Sequence, residues 1–520
     1  MSTKAEDAAR IAGGYATSGA ALEFGAVVLD GTAYPDAQIR VPLAMLNRHG
    51  LIAGATGTGK TKTLQGLAEQ LSAAGVPVVV ADIKGDLSGL SQPGATNDKI
   101  TQRVTDTADT GWTPTGFPVE FLALGGIGTG VPVRATITSF GPTLLSKVLG
   151  LNDTQESSLN LVFHFADKAG LPLLDLKDLR ALIQYLTSDE GKADLTELGG
   201  VSGATAGVIL RDLITLEDAG GDAFFGEPEF ETSDLLRTAA DGRGVISSVE
   251  LNGLQDKPQL FSTFLMWLLA DLFHELPEVG DADRPKLVFF FDEAHLLFND
   301  ASKAFLDAVT QTVRLIRSKG IGIFFVTQNP KDVPDDVLGQ LGNRVQHALR
   351  AFTPDDAAAL KRAVKTYPKT TDYDLAEDLQ RLGTGEAIVT VLAESGAPTP
   401  VAWCRMRAPR SLMAQIDPAV QQQDVASSSL EPKYGTPIDR ESAYEKLTAR
   451  LSAPPATDAP APAGEPAPEQ KPPSAPKKAK KDDSALESVL KSSAFKSFAR
   501  SAASALGREI TRGVFGTRRR

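Results

Sequence analysis

The stretch Gly54-Ala55-Thr56-Gly57-Thr58-Gly59-Lys60-Thr61 constrains this chain more than any other. Its spacing is that of a phosphate-binding P-loop, G-x-x-x-x-G-K-[S/T]. Leu51-Ile52-Ala53 before it reads as the end of a buried strand. Residues Lys62 to Ala74 after it carry Leu64, Leu67, Ala68 and Leu71 at helical spacing. The motif needs this strand–loop–helix context: the glycines let backbone N–H groups approach phosphates, and the helix N-terminus adds a favourable dipole. In such a loop the lysine, here Lys60, reaches the β- and γ-phosphates, and the hydroxyl of Thr61 ligates Mg²⁺. The expected ligands are ATP and Mg²⁺.

A second stretch, Lys286 to Phe291, is an apolar strand ending in two adjacent carboxylates, Asp292-Glu293. Paired with a P-loop, Asp292 is placed to hold Mg²⁺ and Glu293 to polarise the water for in-line phosphoryl transfer. Between the two motifs, Val76 to Ala81 is a continuous β-branched run, as in a central parallel strand. It ends in Asp82-Ile83-Lys84-Gly85-Asp86. Strand carboxyl ends carry the site in α/β sheets, so Asp82, Lys84 and Asp86 either face nucleotide or a neighbouring subunit, or form a solvated turn. Residues 142–242 are helical by pattern and read as an insertion on the sheet. Val245 to Leu251 returns as a strand and Leu260 to Leu276 as an apolar helix.

Beyond the carboxylates, Phe305, Leu306, Val309 and Val313 define an amphipathic helix over Ser302 to Ser318. Arg314 and Arg317 lie on its last turn and Gly320 stops it. Arg317 has two readings, a catalytic group or a charge compensating the helix dipole. Ile321 to Val326 is a further buried strand, followed by Thr327-Gln328-Asn329-Pro330. A strand-end Gln328 between the two nucleotide strands is placed to sense the γ-phosphate. Asp355 to Val364 reads as a helix, and Gly385 to Leu392 with Pro400 to Met406 as a closing pair of strands.

Charge is unevenly placed. The net charge of the 520 residues is −12, yet from Lys477 onward 12 Lys/Arg face 4 Asp/Glu, so the tail is +8 and the rest −20. Such asymmetry points to an interaction tail. Cys404 is the only cysteine, which excludes an intrachain disulfide and a cysteine-cluster zinc site. The five histidines lack ligand spacing and read as structural. The N-terminus has no signal-peptide core, and the apolar run Phe261 to Phe273 is short for a span and holds Asp271, so the expectation is a cytoplasmic protein with no stable membrane insertion.

The expected organisation is a short β cap over 1–40 and an ATPase core over 41–141 and 243–416, interrupted by a helical insertion at 142–242. A flexible linker follows over 417–483, Pro-rich from Pro454 to Pro476, then a basic amphipathic tail over 484–520. The tail is read either as binding an acidic surface, including an unknown protein partner, or as merely solvated.

Together these residues resemble the HerA–FtsK class of P-loop ATPases, and within it the bacterial HerA-like, helicase-annotated group. The resemblance covers roughly residues 10–410. It rests on the P-loop, Asp82-Ile83-Lys84-Gly85-Asp86, Asp292-Glu293-Ala294-His295, Arg317 before a strand and Thr327-Gln328 after it, in that order. It implies an α/β core of the RecA or additional-strand type. It implies Glu293 as catalytic acid, Gln328 as sensor and Arg317 as a finger reaching a neighbour's nucleotide, with Arg48 at a further basic position. It also implies a homo-hexameric ring that moves DNA through a pore using ATP. Two features depart from the class: the N-terminal β segment is shorter than the HerA barrel, and no basic, aromatic pore loop stands out. Two other functions fit the motifs, a pumping ATPase of secretion or conjugation type and a nucleotide-gated scaffold without translocation.

Overall fold

The computed structural model describes residues 3–195, 199–254, 257–280, 282–298 and 303–452. The chain divides into two units, Met1–Ala443 and Tyr444–Arg520. Of the second, only the end of the helix Ala443–Ser452 is described. The 453–483 part of the expected linker and the basic tail 484–520 lie outside the described residues.

Within the first unit, the described residues form one mixed sheet of twelve strands. In chain order these are β1 Ala21–Leu29, β2 Thr32–Pro42, β3 Gly50–Ala53, β4 Val78–Asp82, β5 Val119–Leu124, β6 Val131–Val133, β7 Ile246–Glu250, β8 Leu287–Phe291, β9 Ile321–Thr327, β10 Asn343–Gln346, β11 Glu386–Thr390 and β12 Ala402–Met406. Their spatial order is β2-β1-β12-β11-β10-β3-β9-β8-β4-β7-β5-β6. From β10 to β6 every neighbour is parallel, and the flank from β10 back to β2 is antiparallel. This is the expected α/β architecture. The central strands β3, β4, β7, β8 and β9 are buried along their whole length, as parallel strands covered on both faces must be. Aromatic rings lock the middle: Phe290 packs on Phe324 and Phe291 on Phe325, with centroids 5.2 and 5.8 Å apart.

The decisive feature is β9. It lies between the P-loop strand β3 and the carboxylate strand β8, parallel to both, with Ala53 opposite Thr327 and Phe291 opposite Phe325. This is the additional strand that the family resemblance implied, at the buried run Ile321 to Val326.

Three expectations about organisation change. Residues 21–42 do not stand apart as a cap. β1 pairs with β12, Gly25 opposite Met406, and β2 extends the sheet as its edge. Gly25 permits the join: at φ 151° a Cβ there would lie 1.9 Å from the Arg405 carbonyl oxygen. The helical insertion begins at Ile137, in a helix to Val148 that is kinked at Gly141-Pro142. It continues through Asp153–Ala169, Leu176–Thr187 and Gly203–Leu216 before β7, all inside the same compact unit. The segment from 417 to 443, expected as part of a flexible linker, is ordered. Residues 417–443 contain the helices Pro418–Ala426 and Glu431–Tyr434 and pack on the body. Tyr434 is buried, its hydroxyl donates to Asp234 Oδ2 at 2.6 Å, and its carbonyl accepts from Arg134 Nη1 at 3.0 Å. Polar, weakly periodic sequence concealed this segment because its partners lie two to three hundred residues away. Among the described residues no helix is long and apolar enough to cross a membrane.

Candidate nucleotide site

The P-loop leaves β3 at Gly54 and enters the helix Lys60–Ala73 through Gly59. Gly54, Gly57 and Gly59 have φ of 154°, 78° and 113°, which a side chain would strain. Space also forbids a side chain at Gly54, where a Cβ would lie 2.5 Å from the His347 Cβ. The loop is tied down from below. Ala55 N–H donates to the Ala348 carbonyl at 2.8 Å, and His347 N–H to the Ala53 carbonyl at 2.7 Å. His347 itself is fully buried, and burial lowers its pKa to about 4. Its Nδ1 lies 2.8 Å from the Glu386 carbonyl, which can only accept, so Nδ1 carries the proton and Nε2 accepts from Thr63 Oγ1 at 3.0 Å. It is a neutral structural histidine, as its lack of ligand spacing suggested.

Lys60 is buried beneath the loop, and its Nζ donates to the Ala55 carbonyl at 3.3 Å. Burial lowers its pKa, against the opposing pull of Glu293 and Asp292. The electrostatic link joins residues more than two hundred positions apart at one sheet edge. Thr61 sits half-buried in the first turn of the helix.

β8 ends in Asp292 and Glu293 at the same edge. Asp292 is 2% exposed. Its Oδ1 accepts from the Glu293 backbone N–H at 2.9 Å, while its buried Oδ2 has no hydrogen-bond partner. Burial and then the adjacent Glu293 push its carboxyl up to about 7. An unbonded buried carboxylate oxygen is costly, and a divalent cation relieves that cost. With the Thr61 hydroxyl in the first turn of the P-loop helix, the donor set fits Mg²⁺, which takes one or two protein oxygens and fills the rest of its shell with phosphate and water.

Glu293 is 5% exposed and adopts φ 47°, a left-handed backbone that costs a non-glycine residue about 1–2 kcal/mol. Its Oε1 pairs with Lys84 Nζ, and its Oε2 lies 3.3 Å from His295 Nδ1. Burial would raise its pKa, but the Lys84 hydrogen bond and charge, with His295 and Lys60, outweigh burial and hold it below its ordinary value. Gln328 follows β9 between the two motifs, with its side chain exposed.

The turn after β4 resolves what its sequence left open. Asp82 is a structural anchor: Oδ1 accepts from the N–H groups of Lys84 and Gly85 at 3.2 and 2.7 Å, and Oδ2 from Leu87 at 2.9 Å. Lys84 points back to Glu293. Glu250, opposite Asp82 across β7, escaped the sequence reading; burial and then Asp82 push it up to about 8. No motif signals it, because only strand pairing brings it to the site.

Arg317 is not at this edge. It opens the 3₁₀ turn Arg317–Lys319 after the helix Lys303–Ile316, just before β9 begins. It is exposed at the amino edge of the sheet, and its charge acts on His49 at the start of β3. Within one chain the sheet separates it from the P-loop. Arg48 is half-buried on the same amino edge.

Comparison with known proteins gives the family. The model of the helicase HerA-like C-terminal family matches residues 28–520. The chain belongs to that family. This HerA-like chain is 23% identical over 411 residues to the DNA double-strand break repair helicase HerA of Pyrococcus furiosus, covering 71% of this chain and 67% of that protein. It is 30% identical over 125 residues to a probable helicase of Methanocaldococcus jannaschii, covering 23% of this chain and 22% of that one. The matched stretch thus spans only about a fifth of one curated relative's length and two thirds of the other's. Among solved structures, the bacterial conjugative coupling protein TrwBΔN70 superposes with a TM-score of 0.51 at 16% identity, over 79% of this chain and 94% of that one. A TrwB structure in complex with ADP and Mg²⁺ gives 0.50 at 16% identity, over 77% and 98%. At that identity the likeness concerns the fold, a P-loop ATPase core.

Proposed function

We propose that the protein is a Mg²⁺-dependent ATP hydrolase that works as a ring-shaped translocase or helicase on DNA. One observation carries the hydrolase: β3, β9 and β8 lie side by side and parallel, so Lys60, Gln328 and Asp292-Glu293 meet at one edge. There Lys60 and the P-loop N–H groups hold the phosphates, and Gln328 reads the γ-phosphate. Glu293 takes up and orients the attacking water. Thr61 and Asp292 would hold Mg²⁺, which would neutralise charge on the phosphates. DNA as substrate is supported by the repair-helicase relative. A homo-hexameric ring is supported by the position of Arg317, which is exposed at the amino edge away from its own P-loop, where a finger would serve a neighbour's nucleotide.

The likeness to a conjugative coupling protein supports a second reading, a pumping motor of conjugation or secretion type. The experiment is the rate of phosphate release from ATP with Mg²⁺, alone and with single- or double-stranded DNA, alongside the assembled mass. DNA stimulation and an oligomer are expected. Arg317→Ala should bind ATP but turn it over about 10³-fold more slowly or worse, and mixing it with Lys60→Ala should restore part of the rate. A fully active monomer, or Arg317→Ala with normal turnover, overturns the ring. DNA-independent turnover overturns the DNA motor and leaves the hydrolase.

A further inference from the structure

The turn Asp82–Leu87 is built to deliver one ammonium to one carboxylate. The Asp82 carboxylate pins the backbone N–H groups of Lys84, Gly85 and Leu87. From the other side a strap that follows β12 holds the same turn. Gln415 Nε2 donates to the Lys84 carbonyl at 2.9 Å, and the Ile416 N–H donates to Ser88 Oγ at 3.2 Å. The strap is in turn anchored on the P-loop helix, where the buried Glu69 carboxylate accepts from the N–H groups of Arg410 and Ser411 at 2.7 and 3.0 Å. So the main chain of Lys84 is fixed while its side chain, 47% exposed, reaches Glu293, whose side chain is 6% exposed.

The carboxylate at the other end is held through one oxygen only. Oε1 of Glu293 is taken by Lys84 Nζ, while Oε2 is buried 3.3 Å from His295 Nδ1 and makes no hydrogen bond. A carboxylate that polarises water needs one oxygen to accept the water's proton. In this arrangement Lys84 occupies Oε1 and Oε2 is buried, so a water reaches the carboxylate only when the Lys84 pair opens. Lys60 and Asp292 also border Glu293, and Asp86 bears on Lys84.

We propose that Lys84 is a positioning residue that competes with the attacking water for Glu293, so that hydrolysis requires the Lys84–Glu293 pair to open. The competing attraction is the γ-phosphate, which draws a flexible, half-exposed ammonium away from the carboxylate once it enters the P-loop. This inference rests on the ATP hydrolase reading and adds a restraint to it. It also gives the strap a role: by holding the Lys84 carbonyl through Gln415, it sets how readily the pair opens.

The test uses the full-length chain and three variants, Lys84→Met, Lys84→Arg and Gln415→Ala. Affinity for a fluorescent ATP analogue, kcat, KM and melting temperature are measured for each. Lys84→Met frees Oε1, and kcat without DNA is expected to rise. The rise should be roughly two- to fivefold, because a half-exposed ion pair is weak in water. Lys84→Arg keeps a cation at that position and should return kcat to the wild-type value. Gln415→Ala loosens the turn and should move kcat in the same direction as Lys84→Met by a smaller factor. Melting temperatures should stay with the wild type, which excludes a general loosening of the fold. A Lys84→Met protein that binds nucleotide normally but has unchanged or lower kcat overturns the restraint. Wild-type protein that does not bind the analogue overturns the hydrolase reading itself, and is separated from the first failure by the binding measurement.

Discussion

Two sets of buried carboxylates in this sheet are treated in opposite ways. On the antiparallel flank, Glu386 in β11 is 7% exposed and completely bonded: Oε1 accepts from Arg405 Nε and Nη2 at 3.0 and 2.8 Å, Oε2 from Trp403 Nε1 at 3.1 Å and from the Gly383 N–H at 2.9 Å. On the parallel side, Asp292 is 2% exposed with an unbonded oxygen, and Glu293 is held in a left-handed backbone. Burial without full hydrogen bonding costs stability, so a fold keeps it only where something else is gained. The flank spends its carboxylate on joining β11 to β12. The carboxyl edge of β8 leaves Asp292 Oδ2 unbonded, ready for a cation, and keeps Glu293 Oε1 on Lys84.

The contrast breaks most visibly in hydrolysis. Glu293→Gln should lower turnover by roughly 10²–10⁴-fold, the usual contribution of a positioned acid or base, while nucleotide still binds. Asp292→Asn should lose Mg²⁺-dependent turnover and leave the melting temperature unchanged or higher, because it removes a buried, poorly bonded charge. A marked fall in melting temperature for either variant would show that these carboxylates are structural after all.

The mirror experiment is on the flank. Glu386→Ala leaves the Arg405 guanidinium short of a partner and should cost about 3 kcal/mol of stability, as breaking a buried pair does. Urea denaturation measures it. An effect under about 1 kcal/mol would remove the distinction between the two regions. A smaller change is expected at Glu69, where Glu69→Gln loses one acceptor for the Arg410 and Ser411 N–H groups. The expected loss is about 1 kcal/mol, read by the same denaturation, and an unchanged midpoint would show that the strap is held elsewhere.

The readable parts of the site were those written in a single short stretch. Gly54, Gly57 and Gly59 stand where the backbone needs positive φ, so the loop shows as glycines at fixed spacing. Strand β8 shows as an unbroken apolar run because both faces of a parallel strand are covered. Gln328 shows as the polar residue that ends such a run. The N-caps of the insertion helices, such as Asn152 and Asp175 with their capping boxes, are equally local signals.

Sequence alone therefore determined the P-loop, the carboxylate strand, the additional strand and the helical character of the insertion, because glycine conformation, burial periodicity and capping act over a few residues. Tertiary structure alone decided that β1 closes on β12 and that residues 407–443 strap the body. It also decided that Lys84 meets Glu293 across 209 positions, that Glu250 lies beside Asp82, and that Arg317 falls on the edge opposite the P-loop. The physical reason is separation along the chain. A pairing between distant strands, or an ion pair across a sheet edge, leaves no period in either partner's own sequence, and it appears only when hydrogen bonds between strands bring the two together.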